Sequence, residues 1–167
     1  MRYLGIIGWS GSGKTTLITA LVPLLRARGL SVSTIKHAHH GFEIDHPGKD
    51  SYRHKQAGAK EVLIYSSKRW VLMHENDGPE PSPAHLLGVM QSVDLVLVEG
   101  FKADPGTKLE VHRPRLGKEP LWPTTPEVAA VASDVALSDC SRPVLPLDRP
   151  EAVVEWITGI LSRLPSA

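Results

Sequence analysis

The segment Gly8–Thr16, GWSGSGKTT, constrains this chain more than any other part of the sequence. It fits the pattern G-x-x-x-x-G-K-[ST] at every fixed position, and a short apolar run, Tyr3–Ile7, precedes it. The residues that follow, Lys14–Arg28, place apolar side chains at helical spacing and end at Gly29. A glycine-rich loop between a strand and a helix is typical of phosphate-binding loops. The sequence therefore predicts a nucleotide site at the start of the first helix.

The chemistry of phosphate binding explains the residue types in this loop. Gly11 and Gly13 let successive backbone N–H groups converge on phosphate oxygens, and the helix adds its positive N-terminal end. Lys14 is expected to bridge the β- and γ-phosphates, and the Thr15 hydroxyl is expected to bind Mg²⁺. The nucleotide-binding residues predicted in this loop are Gly11, Ser12, Gly13, Lys14, Thr15 and Thr16.

A second acidic residue should hold or orient the magnesium ion. Ligand sites in open α/β sheets lie at the carboxyl ends of the strands. Glu99 follows the apolar run Leu95–Val98, whereas Asp94 precedes it and lies about 16 Å away at ~3.3 Å per residue. We therefore predict Glu99 as a Mg²⁺ ligand and, with Lys14, as a catalytic residue. The alternative for Glu99 is a solvated carboxylate at a strand end, and Asp94 is interpreted as a turn residue.

The sequence is less specific about which nucleotide base the protein binds. Guanine-specific proteins with this loop usually carry N-K-x-D or T-K-x-D after a late strand, where the aspartate accepts from the guanine N1 and N2 hydrogens. Here the run Val128–Ala132 leads to Asp134, but Val131 and Ala132 replace the asparagine and lysine. Asp134 is either the residue that binds guanine or an ordinary turn residue.

Five of the eight histidines lie between His37 and His54. Imidazole suits zinc and nickel, so a metal site is one interpretation, and its candidate ligands are His37, His39, His40 and Asp45. No cysteine lies nearby, however, and nearby basic residues favour an anionic ligand or a switch role. A solvated loop is the third interpretation. The candidate residues for a second, anionic ligand are Lys36, His37, His39, Lys49, Arg53 and Lys102, and Asp45 is a further candidate Mg²⁺ ligand.

Strand-like and helix-like segments alternate along the rest of the chain. The further strand candidates are Ser31–Lys36, Glu61–Tyr65, Trp70–His74, Leu95–Val98, Leu109–His112, Val128–Ala132 and Val144–Leu147. Helices are predicted at Asp50–Ala57, from Ser82 to Gln91 and at the C-terminus. This order predicts an α/β, three-layer P-loop NTPase fold with a mostly parallel sheet and an antiparallel edge hairpin. A length of 167 residues fits a single domain, 1–167.

The composition of the chain limits which partners and which cellular location are expected. A net charge of +1 favours neither nucleic acid nor an anionic membrane as a partner. No apolar run approaches the ~20 residues of a membrane span. The single cysteine, Cys140, excludes an internal disulfide and fits a reducing compartment. Because a strand-like run starts at Tyr3, no signal peptide is expected, and the predicted location is the cytoplasm.

Five segments resemble the molybdopterin-guanine dinucleotide biosynthesis protein B (MobB) family: GWSGSGKTT, TIKHAHH, DHPGKDSYRHKQAGA, VLVEGFK and KLEVHR, in this order. The resemblance covers roughly Met1–Asp134. It implies a homodimeric GTP-binding protein with weak GTPase activity, acting beside the molybdenum cofactor guanylyltransferase that joins GMP to molybdopterin. Gly11–Thr16 match the family's phosphate loop, and Glu99 matches its acidic strand end. Further motif positions are matched by His37, Asp45, Lys49, Asp50, Arg53 and Lys102, without an implied role.

The sequence allows several uses of the bound nucleotide. Fast hydrolysis needs a residue that orients water and a cationic finger, which contributes roughly 10³–10⁵ in rate. No glutamine adjoins Glu99, and only Arg53 or Arg113, from a second subunit, is a candidate finger. Slow GTP hydrolysis that rises with a partner is therefore expected. The alternatives are a non-hydrolysing carrier of nucleotide or pterin, a GTPase metallochaperone of the nickel-insertion type and a small-molecule kinase.

Overall fold

The computed structural model describes residues 1–38, 42 and 44–166. The chain divides into two compact units. The first unit combines Met1–His37 with Pro83–Ala167, and the second is Ala38–Ser82. The expectation of a single domain stays a prediction.

Helices and strands follow the alternation expected from the sequence. The strands are β1 (Arg2–Ile7), β2 (Val32–Lys36), β3 (Glu61–Tyr65), β4 (Trp70–His74), β5 (Leu95–Glu99), β6 (Lys108–His112), β7 (Val128–Ser133) and β8 (Val144–Pro146). The α-helices are α1 (Lys14–Ala27), α2 (Asp50–Gln56), α3 (Pro83–Val89) and α4 (Pro150–Ile160). Short 3₁₀ turns occur at Pro114–Leu116 and Leu161–Arg163.

The described part of the first unit contains a parallel sheet in the order β2-β5-β1-β6-β7-β8. β1 is central, and its two neighbours carry Glu99 and Glu110 in register with Ile6 and Ile7. Because the strands are parallel, their carboxyl ends meet at one edge, where a ligand site is expected. The sequence placed Glu99 at this edge, and the register confirms that placement.

Side chains on the two sheet faces separate into different cores. Leu95 and Leu97 of β5 pack with α1 and α4, in a core that includes Leu21 and Ile157. On the opposite face of the same strand, Val96 and Val98 pack with Leu87 of α3. The period of two along β5 therefore buries both faces of the strand, and the predicted three-layer α/β fold is confirmed.

The second unit contains α2 and an antiparallel hairpin of β3 and β4. Tyr65 pairs with Trp70 next to the turn, and Glu61 pairs with His74 at the far end. The predicted antiparallel hairpin is confirmed, and it forms a two-stranded sheet of its own. None of the helices in the described ranges has the length and apolar content needed to cross a membrane.

Candidate nucleotide-binding site

The phosphate loop connects the central strand to α1, and its glycines are required by close backbone approaches. Gly8 has φ 145°, and a Cβ there would lie 2.4 Å from the Val111 carbonyl oxygen of neighbouring β6. Gly13 has φ 101° and caps α1 without a side-chain hydrogen bond. L-residues with side chains rarely adopt such angles. The loop can therefore follow this path only with glycine at these positions.

The Lys14 side chain folds back over this loop. Its Nζ donates to the carbonyl oxygens of Gly8 at 3.0 Å and Trp9 at 2.9 Å. Burial lowers the pKa of the Lys14 ammonium, the carboxylate of Glu99 opposes this shift, and the charges of Lys102 and Lys36 add to it. The ammonium thus lies inside the loop, with further positive charge nearby.

Thr15 and Glu99 meet at the carboxyl edge of the sheet. The Thr15 hydroxyl donates to Glu99 Oε1 at 2.8 Å, and Lys36 Nζ lies 4.0 Å from the same oxygen. A hydroxyl oxygen beside a carboxylate oxygen is the kind of hard donor set that Mg²⁺ binds. The residues present therefore fit the predicted ion. Asp94, at the opposite end of β5, accepts from the Ser31 N–H and hydroxyl.

The loop after Glu99 is strained and carries Lys102 towards Trp9. Phe101 has φ 51°, and Gly100 has φ 98°. A non-glycine residue with positive φ is uncommon and costs energy. The Lys102 ammonium lies 4.0 Å from the ring centroid of Trp9, a cation–π contact. The chain thus brings a second cation to the P-loop.

His37 packs against this same loop. A Cβ at Gly100 would lie 2.9 Å from His37 Cβ, and the His37 and Phe101 rings are 4.6 Å apart. His37, one of the histidines of the predicted cluster, belongs to the first unit and directly follows β2. Its backbone N–H donates to the Glu99 carbonyl at 2.9 Å. This packing was not anticipated from the sequence.

Arg113, at the end of β6, joins two loops of the site. Its Nε donates to the Ser12 carbonyl at 2.9 Å, and its NH1 donates to Asp134 Oδ2 at 2.6 Å. Arg115 Nε lies 3.6 Å from the same Asp134 oxygen. Asp134 thus lies at the predicted edge of the sheet, and its carboxylate is engaged by arginine.

A buried carboxylate holds the proline-rich loop beside the site. Glu110 of β6 has no exposed surface, and its two oxygens accept the N–H groups of Leu121 and Trp122 at 2.9 and 2.8 Å. Burial raises the pKa of Glu110, while these two hydrogen bonds and the nearby His112 and Lys102 lower it. The sequence reasoning missed this residue. A glutamate inside the apolar stretch LEV was the available signal, because strands of a parallel sheet are buried on both faces.

Two pockets lie along this part of the first unit. A pocket of about 430 Å³ lies between the ends of β7 and β8, and Asp134, Val135, Leu137 and Asp148 help to line it. A smaller one, about 100 Å³, is lined by Gly13, Thr16 and Arg113, among others. The larger pocket is within the size range of small-molecule sites.

The remaining predicted residues belong to the second unit or lie outside the described residues. Asp45, Lys49 and Arg53 are in the second unit. The pKa of Asp45 is lowered mainly by a hydrogen bond with the Ser51 side chain. His39 and His40 lie outside the described residues. In the described ranges, no three His, Cys, Asp or Glu side chains are grouped so as to hold a metal ion.

Comparisons with known proteins identify the family. The family model of "Molybdopterin guanine dinucleotide synthesis protein B" matches residues 3–134. The molybdopterin-guanine dinucleotide biosynthesis adapter protein of Haemophilus influenzae is 41% identical over 169 residues, which covers 98% of this chain and 92% of that protein. The Escherichia coli K12 protein of the same name is 42% identical over 139 residues, with coverage of 81% and 79%.

The fold has a solved counterpart. A crystal structure of molybdopterin-guanine biosynthesis protein B matches with a TM-score of 0.75 and 26% identity, over 95% of this chain and 99% of that one. Sequence, family model and fold agree, and the resemblance stated from the sequence segments is confirmed. With the P-loop, the acidic strand end and the parallel sheet in place, this chain belongs to the MobB family.

Proposed function

We propose that this chain is an adapter protein of molybdopterin-guanine dinucleotide biosynthesis that binds GTP at its P-loop and hydrolyses it slowly. One observation carries the proposal: the Lys14 ammonium, the Thr15 hydroxyl and the Glu99 carboxylate lie together at the carboxyl edge of the sheet. Family membership and the name of the Haemophilus influenzae relative supply the biosynthetic context.

Phosphate binding uses groups of the chain itself. Backbone N–H groups of the loop and of the start of α1 bind the phosphate oxygens, and Lys14 exchanges its contacts with the Gly8 and Trp9 carbonyls for the β- and γ-phosphates. Thr15 and Glu99 would hold Mg²⁺. The ion, when bound, supplies positive charge to the phosphate oxygens. Asp45 stays a sequence-based prediction as a further ligand.

Hydrolysis is expected to be slow in the isolated chain. A water oxygen bonds to the γ-phosphorus while the bond to the β,γ-bridging oxygen breaks, which gives GDP and phosphate. The Lys14 ammonium stabilises the negative charge that develops. Arg113 already donates to Ser12 and Asp134, and the residues next to Glu99 include no glutamine to orient the water. Lys102, held over Trp9, is a further cation beside this loop.

The other ligands follow from the surrounding residues. The base is proposed to occupy the pocket of about 430 Å³ between β7 and β8, beside Asp134. The second anionic ligand, molybdopterin, is proposed to bind the basic residues of the first unit that the sequence singled out, which are Lys36, His37 and Lys102. Of these, Lys36 and Lys102 act electrostatically on Lys14. His39, Lys49 and Arg53 stay sequence-based candidates for the same ligand. The guanylyltransferase of the same pathway is the proposed protein partner.

A homodimer is proposed on the properties of the hairpin. Tyr65 is 79% exposed and Trp70 is 66% exposed, and the two face each other across the ladder. A two-stranded sheet also leaves both of its edges without a neighbouring strand. A second copy of this chain offers the same apolar surface, so an isologous interface would cover both.

Nucleotide binding tests the P-loop assignment directly. Lys14→Ala should weaken GTP binding more than 100-fold, because charged hydrogen bonds contribute roughly 1.5–3 kcal/mol each and Lys14 is expected to make two. Titration calorimetry measures this, and Lys60→Ala, an exposed lysine of the second unit, is the control. Unchanged GTP affinity in the Lys14 variant would overturn the assignment. Turnover of many GTP per second by the isolated protein would contradict slow hydrolysis.

The name "adapter protein" of the Haemophilus influenzae relative favours a second candidate, a carrier for which hydrolysis is incidental. A reconstituted system that forms the dinucleotide discriminates the two, provided the transferase receives its own substrate separately. If a non-hydrolysable GTP analogue at the P-loop supports full dinucleotide formation, the carrier is correct. If hydrolysable GTP is required, the GTPase is correct.

A further inference from the structure

Arg113 bridges the P-loop and the end of β7 with one guanidinium group. Its Nε reaches the Ser12 carbonyl at 2.9 Å, and its NH1 reaches Asp134 Oδ2 at 2.6 Å. The side chains of Arg113 and Asp134 are 23% and 24% exposed. A short contact between partly buried charged groups is stronger than a fully exposed ion pair. The two loops are therefore linked by a firm contact.

The contact with Ser12 fixes the direction of one peptide group in the P-loop. In a trans peptide the C=O and the N–H point in opposite directions. Because Arg113 holds the Ser12 carbonyl, the N–H of Gly13 must point to the side away from Arg113. Gly13 is the residue before Lys14 at the start of α1, where N–H groups bind phosphate. Arg113 thus orients a phosphate-binding donor without touching phosphate.

The guanidinium also lies against the backbone of this loop. A Cβ at Gly13 would be 3.5 Å from NH2 and 3.6 Å from Nε of Arg113. The guanidinium therefore lies on the side of Gly13 where a side chain would stand, close to the loop backbone. The carboxylate of Asp134 holds the guanidinium in this position.

A carboxylate that binds guanine must accept from the N1 and N2 hydrogens of the base. Asp134 Oδ2 already accepts from Arg113, and Arg115 lies 3.6 Å from the same oxygen. Binding both guanine hydrogens takes both carboxylate oxygens, so the base would compete with Arg113 and Arg115 for Asp134 Oδ2. Of the two interpretations that the sequence allowed, the arrangement favours the one in which Asp134 does not bind guanine.

We infer that Arg113 and Asp134 are positioning residues that form a clamp on the P-loop, with Asp134 acting through Arg113 and not on the base. The clamp raises the affinity for the phosphates, and its effect is the same whichever base the nucleotide carries. The inference rests on the proposed nucleotide binding at the P-loop.

The test compares the affinities for inorganic tripolyphosphate, which has no base, with those for GTP and xanthosine triphosphate. The comparison distinguishes contacts to the phosphates from contacts to the base. Arg113→Ala and Asp134→Ala should each weaken tripolyphosphate and GTP by the same factor, about tenfold, since each removes a charged contact that holds the loop. Arg113→Lys, which can keep only one of the two contacts, should recover part of the loss. Asp139→Ala, an exposed aspartate five residues beyond Asp134, is the matched control and should bind like wild type.

Two further measurements separate the clamp from a base contact. The double variant Arg113→Ala/Asp134→Ala should bind no worse than either single variant, because both remove one unit. Asp134→Asn should show no gain for xanthosine triphosphate over GTP. If Asp134→Asn spares tripolyphosphate and prefers xanthosine triphosphate, Asp134 binds the base and the clamp is rejected.

The outcome for wild type distinguishes the two proposals. If wild-type protein binds neither GTP nor tripolyphosphate, the proposed nucleotide function fails. If wild type binds both ligands and the Arg113 variants bind both unchanged, only the clamp fails. Should Arg113→Ala unfold, Arg113→Lys and Asp134→Ala still decide the question, since their circular dichroism spectra can be compared with that of wild type.

Discussion

β5 and the β3–β4 hairpin are both apolar, yet they differ in exposure. Leu95 and Leu97 of β5 are fully buried, whereas Tyr65 and Trp70 of the hairpin are 79% and 66% exposed. The first unit covers its strands with its own helices. The hairpin carries comparable apolar side chains, and several of them stay exposed, as on surfaces that mark interaction sites. Apolar sequence alone therefore does not reveal whether a strand belongs to a core or to an interaction surface.

The largest effect expected from this comparison is on stability. Leu97→Ala should lower the free energy of unfolding by about 2–5 kcal/mol, because it opens a cavity in the core of the first unit. The matched variant, Leu72→Ala in the hairpin, where Leu72 is 44% exposed, should cost less than about 1 kcal/mol in the monomer. Urea denaturation at low protein concentration measures both. Equal losses would show that the hairpin is as tightly packed as the parallel sheet.

The next largest effect is expected on the stability of the proposed homodimer. Trp70→Ser should weaken the proposed dimer by about 2 kcal/mol, or about 30-fold, because large aromatic side chains dominate interface energies. Sedimentation equilibrium gives the dissociation constant. The control is Val89→Ser, which replaces a 69% exposed apolar side chain of α3 in the first unit. Wild type that sediments as a monomer, or a dimer indifferent to Trp70→Ser, would argue that something other than a second copy covers the hairpin.

A smaller effect is expected from the buried charge of the first unit. Because burial raises the pKa of Glu110, the folded chain keeps its proton at pH values where the unfolded chain has lost it. The contribution of Glu110 to stability is therefore greatest below the ordinary glutamate pKa and falls as pH rises through the raised pKa. Glu110→Gln should remove this slope. It should also cost about 1 kcal/mol at neutral pH, since one amide oxygen replaces two acceptors for Leu121 and Trp122.

Denaturation midpoints over a series of pH values measure the slope. Glu119→Gln, an exposed glutamate of the same proline-rich loop, serves as the control and should follow the wild-type curve. His112, which lies 3.8 Å from Glu110, and Lys102 are the nearby groups whose charges bear on this carboxyl. An unchanged slope in Glu110→Gln would assign the pH dependence to other groups.

The P-loop and its acidic partner were predictable because their signals are local. The spacing of Gly13, Lys14 and Thr15 fixes a loop at the start of a helix, and Glu99 ends an apolar strand. Parallel pairing then brings Thr15 and Glu99 within 2.8 Å. The family resemblance came from short segments of the same kind, and the comparisons confirm it.

The contacts of Arg113, Asp134 and Glu110 were not predictable in this way. Arg113 reaches Ser12 across 101 residues of sequence, and no periodic pattern encodes that approach. Glu110 finds its partners in a loop whose prolines predict only irregular structure. For Asp134 two interpretations were open from the sequence, and both stay predictions. Its hydrogen bond with Arg113 is visible only in the structure.

The sequence by itself determined the alternation of strands and helices, the P-loop with Lys14 and Thr15, and the family. Each of these depends on residues close together in the chain, where backbone preferences and side-chain periodicity act directly. The tertiary structure alone decided that Arg113 holds the Ser12 carbonyl, that Glu110 anchors the neighbouring loop, and that β3 and β4 form a sheet of their own. Such contacts depend on which distant segments the parallel sheet places side by side, and charge and burial act on those neighbours whatever their separation in sequence.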